Sequence, residues 1–340
     1  MNQTQGRLML KTIKSSELEV GMYVTLPSSW LHHSFLKNSF IIKSPDDVKR
    51  IIDNGITEVS IDTARGLSFP NVDMISHGSE EHPPKTHLVP VTWNPEQLIP
   101  ADLKDALKDK TMPKEKKSMV MYQSSVQMMQ RLLEDPKMEN IREVKKGIAE
   151  MVDVIISDDK TAVHMLTITA HDFYTYTHSV NVGFLGIMLS KALFKKTDAH
   201  DMYELGAGFF LHDLGKTRVD PDIINKRGKL TDDEMKKMRI HPYQSYKILA
   251  EANQLSEECR LIALQHHERE DGKGYPRHLH GNEIHLYGRI GCIADVYDAL
   301  TAKRSYKPSL SPFEALRVMK DEMINHFEKD LFEKFVLLFA

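Results

Sequence analysis

Histidine is unevenly distributed in this chain, and its distribution constrains the fold. Of the 17 histidines, eleven lie within residues 164–285. His178, His241 and the pair His266-His267 each fall in a segment whose apolar residues recur every three or four positions, a spacing that predicts a packed helix. Any fold of this chain must therefore place imidazole side chains on helices that pack against one another.

Two aspartates share this region with the histidines. His212 and Asp213 are adjacent, and neighbours on a helix point about 100° apart, so both can be directed at one point where a helix ends. Asp295 lies in an apolar run, where a buried carboxylate is costly unless it is paired or binds a metal. One such residue alone is more often an ordinary core or surface residue, but seven together favour a metal site. The seven candidate ligands are His178, His212, Asp213, His241, His266, His267 and Asp295.

The candidate ligands offer only imidazole nitrogen and carboxylate oxygen. Such ligands suit iron, manganese, zinc, nickel or cobalt, and no thiolate is among them to narrow the choice. Five imidazoles and two carboxylates are too many for one metal and about right for two. Because a carboxylate can bridge two cations, Asp213 is the expected bridge, with a water held between the metals.

The chain divides into three parts by composition. Residues 1–75 predict a small α/β regulatory domain, with strands at 8–13, 20–26, 34–42 and 57–61 and a helix that begins after Ser44. Prolines and charged residues over 76–117 predict a linker with a short helix near 100–108. Residues 118–340 predict a helical bundle that carries the candidate ligands. The fold class is therefore mainly α, with a small α/β domain in front.

Eight long helices are predicted in the bundle from the period of the apolar residues. They span residues 119–133, 141–156, 178–193, 203–214, 231–250, 256–267, 287–302 and 312–325. The methionines near the start of the bundle are expected to fill the core or a helix-pairing surface. A second copy of the chain could pack on the helices between 118 and 158, so the sequence leaves a homodimer open.

Composition excludes several classes of protein. A net charge of −3 gives no general attraction to DNA, RNA or an anionic membrane surface. No apolar run has the length of a membrane helix, and the first 25 residues contain no signal-peptide core. Cys259 and Cys292 are too few for a disulfide framework. We therefore expect a cytoplasmic protein that does not bind a nucleic-acid polymer or a membrane.

The motifs between 172 and 335 resemble those of the HD-GYP family in order and spacing. Besides His178, they are HDLGK at 212–216, HP at 241–242, HHE at 266–268, DGKGYP at 271–276 and ADVYDALT at 294–301, followed by Arg304 and Lys307. The preceding segment resembles the small domain of unknown function that often precedes HD-GYP domains. The resemblance implies an HD-type helical bundle that binds two or three metals, often iron or manganese, and cleaves a cyclic dinucleotide.

The resemblance also implies a role for each matched residue. One metal would take His178, His212, Asp213 and Asp295, and the second would take Asp213, His241, His266 and His267. Asp213 and Lys216 would be catalytic, with Lys216 facing the scissile phosphate. The substrate would be bound by Gly274, Tyr275, Arg304 and Lys307. Without the resemblance, the alternative interpretation of Lys216 is a solvated helix lysine. That of Arg304 and Lys307 is a pair of cations favoured at a helix C-terminus.

Three positions depart from the family pattern. Tyr174 stands where some members have a glutamate that helps to hold a third metal, so we expect two metals. Ser245 replaces a usual glycine, and Ile284-His285 replaces a usual Ile-Pro. Neither change touches a ligand. Glu268 and Asp298 are further candidates, able to orient a ligand imidazole or the substrate-binding arginine.

The resemblance implies hydrolysis of cyclic di-GMP to linear pGpG and on to GMP, by a hydroxide that bridges the metals. A 3′,3′-cyclic GMP-AMP phosphodiesterase is the alternative, because the same ligands would serve either substrate. A module that binds the dinucleotide without turnover is an alternative of another class, which the complete ligand set disfavours. A hydrolase of mononucleotides or alarmone is disfavoured by the GYP loop with Arg304 and Lys307.

Overall fold

The structure is a computed structural model that describes residues 10–26, 39–42, 44–53, 56–62, 92–168, 175–195, 197–226, 228–302 and 309–339. The chain forms two compact units, Met1–His87 and Leu88–Ala340. Among the described residues, none of the helices has the length and apolar composition needed to cross a bilayer. The predicted fold class, mainly α with a small α/β part at the N-terminus, is confirmed.

The described residues of the first unit form a four-stranded antiparallel sheet and one α-helix. The strands are β1 (Leu10–Lys14), β2 (Tyr23–Thr25), β3 (Ser39–Ile41) and β4 (Glu58–Asp62), in the order β1-β4-β2-β3. Helix α1 (Pro45–Asp53) begins where the Ser44-Pro45 signal predicts, and the Ser44 amide donates to Asp47. Ile51 of α1 is fully buried with Val24 and Ile61 of the sheet, so one small apolar core holds this unit.

Among the described residues of the second unit, the regular elements are helices, and one isolated β-bridge joins Asp271 to His280. Its helices are α2 (Ala101–Lys108), α3 (Lys114–Glu134), α4 (Met138–Ser157), α5 (Asp159–Ile168), α6 (Thr175–Leu193), α7 (Met202–Leu211), α8 (Pro221–Ile224), α9 (Asp232–Met238), α10 (His241–Ala252), α11 (Glu257–Gln265), α12 (Leu286–Thr301), α13 (Pro312–Asp321) and α14 (Lys329–Val336). Helix α6 packs against α7, α12 and α3, and α11 packs against α10 and α12.

Two of the differences between the predicted and observed helix bounds fall at candidate ligands. The predicted helix 231–250 is α9 and α10, because Pro242 lacks an N–H and starts a new helix at His241. The predicted helix 203–214 ends at Leu211, since Asp213 has φ −101° and ψ 9°, outside the helical range, and a short 3-10 turn follows at Leu214–Arg218. Both differences place candidate ligands at helix ends.

The segment predicted as a linker is structured from residue 92 on. Residues 76–91 lie outside the described residues. Pro95, Pro100 and Pro113 stand at the starts of a 3-10 turn, of α2 and of α3, where proline fits because the first turn needs no N–H donor. Leu98 and Leu103 are fully buried. The short helix predicted near 100–108 is α2, whereas the prolines interpreted as breaks in a linker begin packed elements.

Candidate metal centre

All seven candidate ligands lie in described residues, and the bundle brings them together. His178 is in the first turn of α6, and Asp295 is in the middle of α12. His212 and Asp213 follow α7, His241 is the first residue of α10, and His266 and His267 follow α11. Six of the seven are buried, and the His267 side chain is 21% exposed. The candidate centre thus joins five helices at one point.

One half of the centre is formed by His178, His212 and Asp295. His178 Nε2 lies 3.0 Å from Asp295 Oδ1 and 3.3 Å from His212 Nε2. Asp213 Oδ2 is 3.4 Å from His178 Nε2 and 3.5 Å from His212 Nε2. The ligand atoms of His178, His212 and Asp295 all lie within 4.8 Å of one another, close enough to surround one ion.

The other half is formed by His241, His266 and His267. His241 Nε2 lies 3.3 Å from His266 Nε2, and the ligand atoms of the three residues are again within 4.8 Å of one another. Asp213 Oδ1 faces this half, 3.2 Å from His241 Nε2 and 3.8 Å from His266 Nε2. The two oxygens of Asp213 therefore face different halves, as a bridging carboxylate requires. His267 Nδ1 also lies 3.4 Å from Asp295 Oδ2, so it borders both halves.

The outer nitrogens of four imidazoles are held by acceptors. The Nδ1 atom of His178 meets an oxygen of Asp298 at 2.7 Å. The Nδ1 atoms of His212, His241 and His266 lie 2.7 to 2.8 Å from the backbone carbonyls of Phe209, Met238 and Ala263. Since these oxygens only accept, each Nδ1 must donate. The Nε2 atoms of His212, His241 and His266 then have their lone pairs directed into the centre, as metal-ligating imidazoles do. His178 Nε2 lies 3.0 Å from Asp295 Oδ1, which also only accepts, so a metal would have to displace the proton between them.

The inner atoms fit divalent metals. Asp213 Oδ1 is buried and makes no hydrogen bond to the described residues. The Nε2 atoms of His241 and His266 face each other at 3.3 Å, where opposed lone pairs would repel without a cation nearby. The donor set of nitrogen and oxygen suits iron, manganese, zinc, nickel or cobalt. The seven residues would therefore hold the metals, with His178, His212 and Asp295 on one side of Asp213 and His241, His266 and His267 on the other.

The pKa shifts of three imidazoles and of Asp213 favour metal binding, whereas that of His178 opposes it. Burial would lower the pKa of His178, but hydrogen bonds to Asp295 and Asp298 raise it to about 9. Burial lowers the pKa of His212 to about 4 and that of His241 to about 3, and it also lowers the pKa of His266. Burial would raise the pKa of Asp213, but Lys216 and the nearby imidazoles hold it well below its usual range. Near neutral pH His212, His241 and His266 are therefore neutral and Asp213 is ionised, the forms that coordinate metal, whereas a metal would have to displace a proton from His178.

The two predicted supporting acids have different partners in the structure. Asp298, fully buried one turn beyond Asp295 on α12, holds His178 as described above. Glu268 accepts hydrogen bonds from the backbone amides of Arg277 and Leu279, at 2.6 and 3.0 Å. Glu268 thus orients no imidazole; it anchors the loop that follows the two histidines.

The predicted catalytic and substrate-binding residues are only partly described. Lys216 Nζ contacts Asp213 Oδ2, so it lies at the centre. The Tyr275 ring is 4.6 Å from the His267 ring, centroid to centroid. A Cβ on Gly274 would come within 2.5 Å of the His267 carbonyl oxygen, so only glycine lets the loop approach so closely. Arg304, Lys307 and Tyr174 lie outside the described residues.

Three residues near the site were not assigned a role from the sequence. Asn181 Nδ2 donates to Asp298 Oδ1 at 2.6 Å. The exposed Arg239 guanidinium lies 5.2 Å from the centroid of the Tyr275 ring, a cation–π contact beside the centre. Ser245, where the family usually has glycine, accepts from the Gly215 amide at 2.7 Å and so supports the turn after Asp213. Arg239 lies two residues before His241, and that proximity was the only signal for it.

The chain is similar to known proteins along most of its length. Residues 160–331 match the family described as HD domain, and residues 10–146 match a domain of unknown function (DUF3391). A cyclic di-GMP phosphodiesterase of Pseudomonas aeruginosa is 33% identical over 334 residues, which cover 96% of this chain and 76% of that protein.

Other relatives match a shorter part of the chain. A cyclic di-GMP phosphodiesterase response regulator of Xanthomonas campestris is 46% identical over 107 residues, 31% of this chain and 28% of that protein. A 3′3′-cGAMP-specific phosphodiesterase of Vibrio cholerae is 40% identical over 124 residues, 36% of this chain and 24% of that protein. Among solved structures, a HDG"Y"P protein from Bdellovibrio bacteriovorus shares the fold, with a TM-score of 0.59, 16% identity and coverage of 98% of this chain and 100% of that one.

Proposed function

Because this chain belongs to the family of HD-domain proteins that carry an N-terminal domain of unknown function (DUF3391), we propose that it is a metal-dependent phosphodiesterase that hydrolyses a cyclic dinucleotide. The observation that carries the proposal is the bridging geometry of Asp213. One of its oxygens faces His178 and His212, and the other faces His241 and His266. A carboxylate between two sets of imidazoles is the arrangement that a two-metal phosphodiesterase requires.

The metals would be held by the seven residues described above, two metals per chain. When bound, they supply the positive charge that activates water and offsets the negative charge developing on the phosphate. Iron and manganese are our first candidates, and zinc, nickel and cobalt also suit the donors. We propose two metals rather than three because Tyr174 stands where some HD-GYP members have a glutamate that helps to hold a third.

The side chains around the metals would bind and orient the substrate. Lys216 is catalytic in the proposal, because its ammonium lies beside Asp213 and adds positive charge where negative charge grows on the phosphate. Tyr275 and Gly274 would line the approach to the centre, and the positively charged guanidinium of Arg239 lies over the Tyr275 ring. Arg304 and Lys307 would bind the other phosphate or a guanine edge.

Cyclic di-GMP is the first proposed substrate, with linear pGpG and then GMP as products. The Pseudomonas relative named for cyclic di-GMP aligns with nearly the whole chain. Cyclic GMP-AMP is the second candidate, because Vibrio relatives named for it match 36 to 53% of this chain at 33 to 40% identity. A cytoplasmic location, the absence of a nucleic-acid or membrane partner, a homodimer and a regulatory role for residues 1–75 remain predictions from the sequence.

The proposal is tested by incubating the purified, manganese- or iron-loaded chain with cyclic di-GMP, cyclic di-AMP and cyclic GMP-AMP. Products are resolved by chromatography, and metal per chain is measured on the same sample. We expect cleavage of cyclic di-GMP first. If two metals are bound per chain and none of the three is cleaved, the chain is a binding module and the enzyme proposal is wrong.

A further inference from the structure

A chain of hydrogen bonds runs from the metal centre to helix α3. Asp298 Oδ2 meets His178 Nδ1 at 2.7 Å, and its other oxygen accepts from Asn181 Nδ2 at 2.6 Å. Asn181 Oδ1 then accepts from the Tyr122 hydroxyl at 3.0 Å. Asp298 is fully buried and Asn181 is 3% exposed, so water does not compete freely for the inner links.

In each of these hydrogen bonds, the donor and the acceptor can be assigned. An ionised Asp298 only accepts, so His178 Nδ1 and the Asn181 amide nitrogen must both donate to it. The Asn181 amide oxygen then faces away from Asp298 and needs a donor, which the Tyr122 hydroxyl supplies. A shift of Tyr122 would therefore change the support of Asn181, then of Asp298, and then the direction of the His178 lone pair.

Tyr122 lies on an element outside the HD-domain match. The match covers 160–331, whereas α3 spans Lys114–Glu134 and falls within the match to the domain of unknown function at 10–146. Helix α3 packs directly on α6, and the Tyr122 ring lies 6.5 Å from the Phe184 ring of α6. Through Tyr122, the segment before the HD-domain match is hydrogen-bonded to Asn181, which in turn contacts the Asp298 that holds His178.

We propose that Tyr122 is a positioning residue for the metal ligand His178, acting through Asn181 and Asp298, and that the position of α3 thereby sets the metal affinity of this half of the centre. The functional consequence rests on the proposed phosphodiesterase activity. The positioning itself does not, because it is measured as metal affinity. A centre coupled in this way loses affinity when α3 moves, even though no ligand has been altered.

The test is Tyr122→Phe in the full-length chain, with Tyr287→Phe as the matched control. Tyr287 is also a hydrogen-bonded tyrosine of the second unit, with its hydroxyl 2.7 Å from His200 Nδ1, but His200 is not a ligand. Cobalt(II) is titrated into the metal-free proteins in competition with a chromogenic chelator, and the visible absorption of bound cobalt reports the ligand geometry. We expect Tyr122→Phe to weaken the affinity of one cobalt site by about two- to tenfold, the effect of one hydrogen bond, while Tyr287→Phe leaves it unchanged.

A double-mutant cycle separates a relay from a general loss of packing. Asp298→Asn should weaken the same cobalt site by about 10- to 100-fold. In that background Tyr122→Phe should have little further effect, because the link to His178 is already broken. If Tyr122→Phe fails to fold by circular dichroism, Asn181→Ala breaks the same chain from α6 and should weaken the same site.

Two results would overturn the positioning role. One is an affinity in Tyr122→Phe, or in Asn181→Ala, that matches Tyr287→Phe. The other is full additivity of Tyr122→Phe and Asp298→Asn. A wild-type chain that binds cobalt normally but cleaves no dinucleotide would instead overturn the proposed function and leave the positioning test valid.

Discussion

At the residue scale, the two oxygens of Asp213 have separate partners. Asparagine has the same size but presents one nitrogen that cannot coordinate, so Asp213→Asn should leave one half of the centre without its shared ligand. We expect fewer than two metals per chain and a loss of hydrolysis greater than the roughly 100-fold caused by changes to residues that merely support ligands. Metal analysis and product chromatography measure both effects.

Asp321→Asn is the control for that change, since Asp321 is an exposed acid at the end of α13. It should retain wild-type metal content and activity. Two metals per chain in Asp213→Asn would show that Asp213 is not the bridge.

Lys216 can be tested separately from metal binding. Its ammonium contacts Asp213, but lysine is not itself a ligand, so Lys216→Met should keep the metals. We expect kcat to fall by about 10²- to 10³-fold, as when one group that stabilises a transition state is removed. Lys247→Met, which changes an exposed lysine on α10, should leave kcat unchanged. Loss of metal together with activity in Lys216→Met would mean that the lysine serves the structure of the centre.

The sequence singled out the seven candidate ligands, which the bundle brings together, but not all of the residues that support them. His212 and Asp213 could be found because they form a recognisable dipeptide in a region rich in histidine. Asn181 and Tyr122 carry no such pattern, and 59 residues separate them in the chain. Their roles depend on which helices pack together, and the sequence does not contain that information in any short segment.

At the element scale, two glycines set the approach of α6 to α7. A Cβ on Gly183 would lie 2.2 Å from the Phe210 ring, and one on Gly186 would lie 2.5 Å from the Phe209 ring. Gly183→Ala should therefore push α6 away from α7 and destabilise the fold by about 1–3 kcal/mol or more. It should also weaken metal binding, because α6 carries His178 and α7 leads into His212. Urea unfolding and cobalt titration measure these effects.

Gly147→Ala is the control for overpacking. A Cβ there would meet only the flexible ends of Met128 and Ile99, at 3.0 and 3.1 Å. The alanine also favours the helical state of α4, so we expect a change in stability near zero. Equal destabilisation by both variants would contradict the close-approach argument.

The junction of α4 and α5 gives a pH-dependent prediction. Asp158 accepts from the Thr161 amide and hydroxyl and pairs with Lys114 at 2.6 Å. Burial would raise the pKa of Asp158, but these partners lower it from 3.8 to about 2. The folded pKa lies below the unfolded one, so this stabilisation is present above pH 3.8 and is lost as the pH falls towards about 2.

We therefore expect Asp158→Ala to lower the free energy of unfolding by about 0.5–2 kcal/mol at pH 7, as the loss of a helix cap does. Urea unfolding near neutrality and again between pH 3.8 and about 2 should show the difference between the two proteins shrinking in acid. A difference that stays constant with pH would rule out the ionised carboxylate as its source.

Helix starts were easier to predict than helix ends. Pro45 marks the start of α1 because its missing N–H is harmless there. The same rule applied to Pro242 divides the predicted helix 231–250 in two. The prediction missed this break because the apolar residues keep their helical spacing across it. The end of α7 at Leu211 has no such local signal, because it depends on the backbone of Asp213.

At the scale of the whole molecule, the start of the second unit can be tested by truncation. Residues 118–340 were predicted as the helical domain, whereas the compact unit begins at Leu88. A fragment 118–340 would lack Leu98, Ile99 and Leu103, all buried. We expect it to be less stable than a fragment 88–340 by on the order of 5 kcal/mol, from the apolar surface it exposes.

Chemical unfolding of the two fragments, followed by circular dichroism, measures this difference. Fragment 88–340 should also bind cobalt, since it contains every candidate ligand. Equal stability of the two fragments would show that α2 and the turn before it contribute nothing to the bundle.

The ligands of the centre come from five helices spread over more than a hundred residues of chain, and this has a consequence for the survival of the protein. Bound metal would act as a cross-link between distant segments and stabilise only the folded state, by about 2.7 kcal/mol at a hundred times its dissociation constant. A chain made when metal is scarce would therefore open more often and be degraded sooner by proteases. Metal supply would then set how many copies persist in the cell as well as how fast each one works.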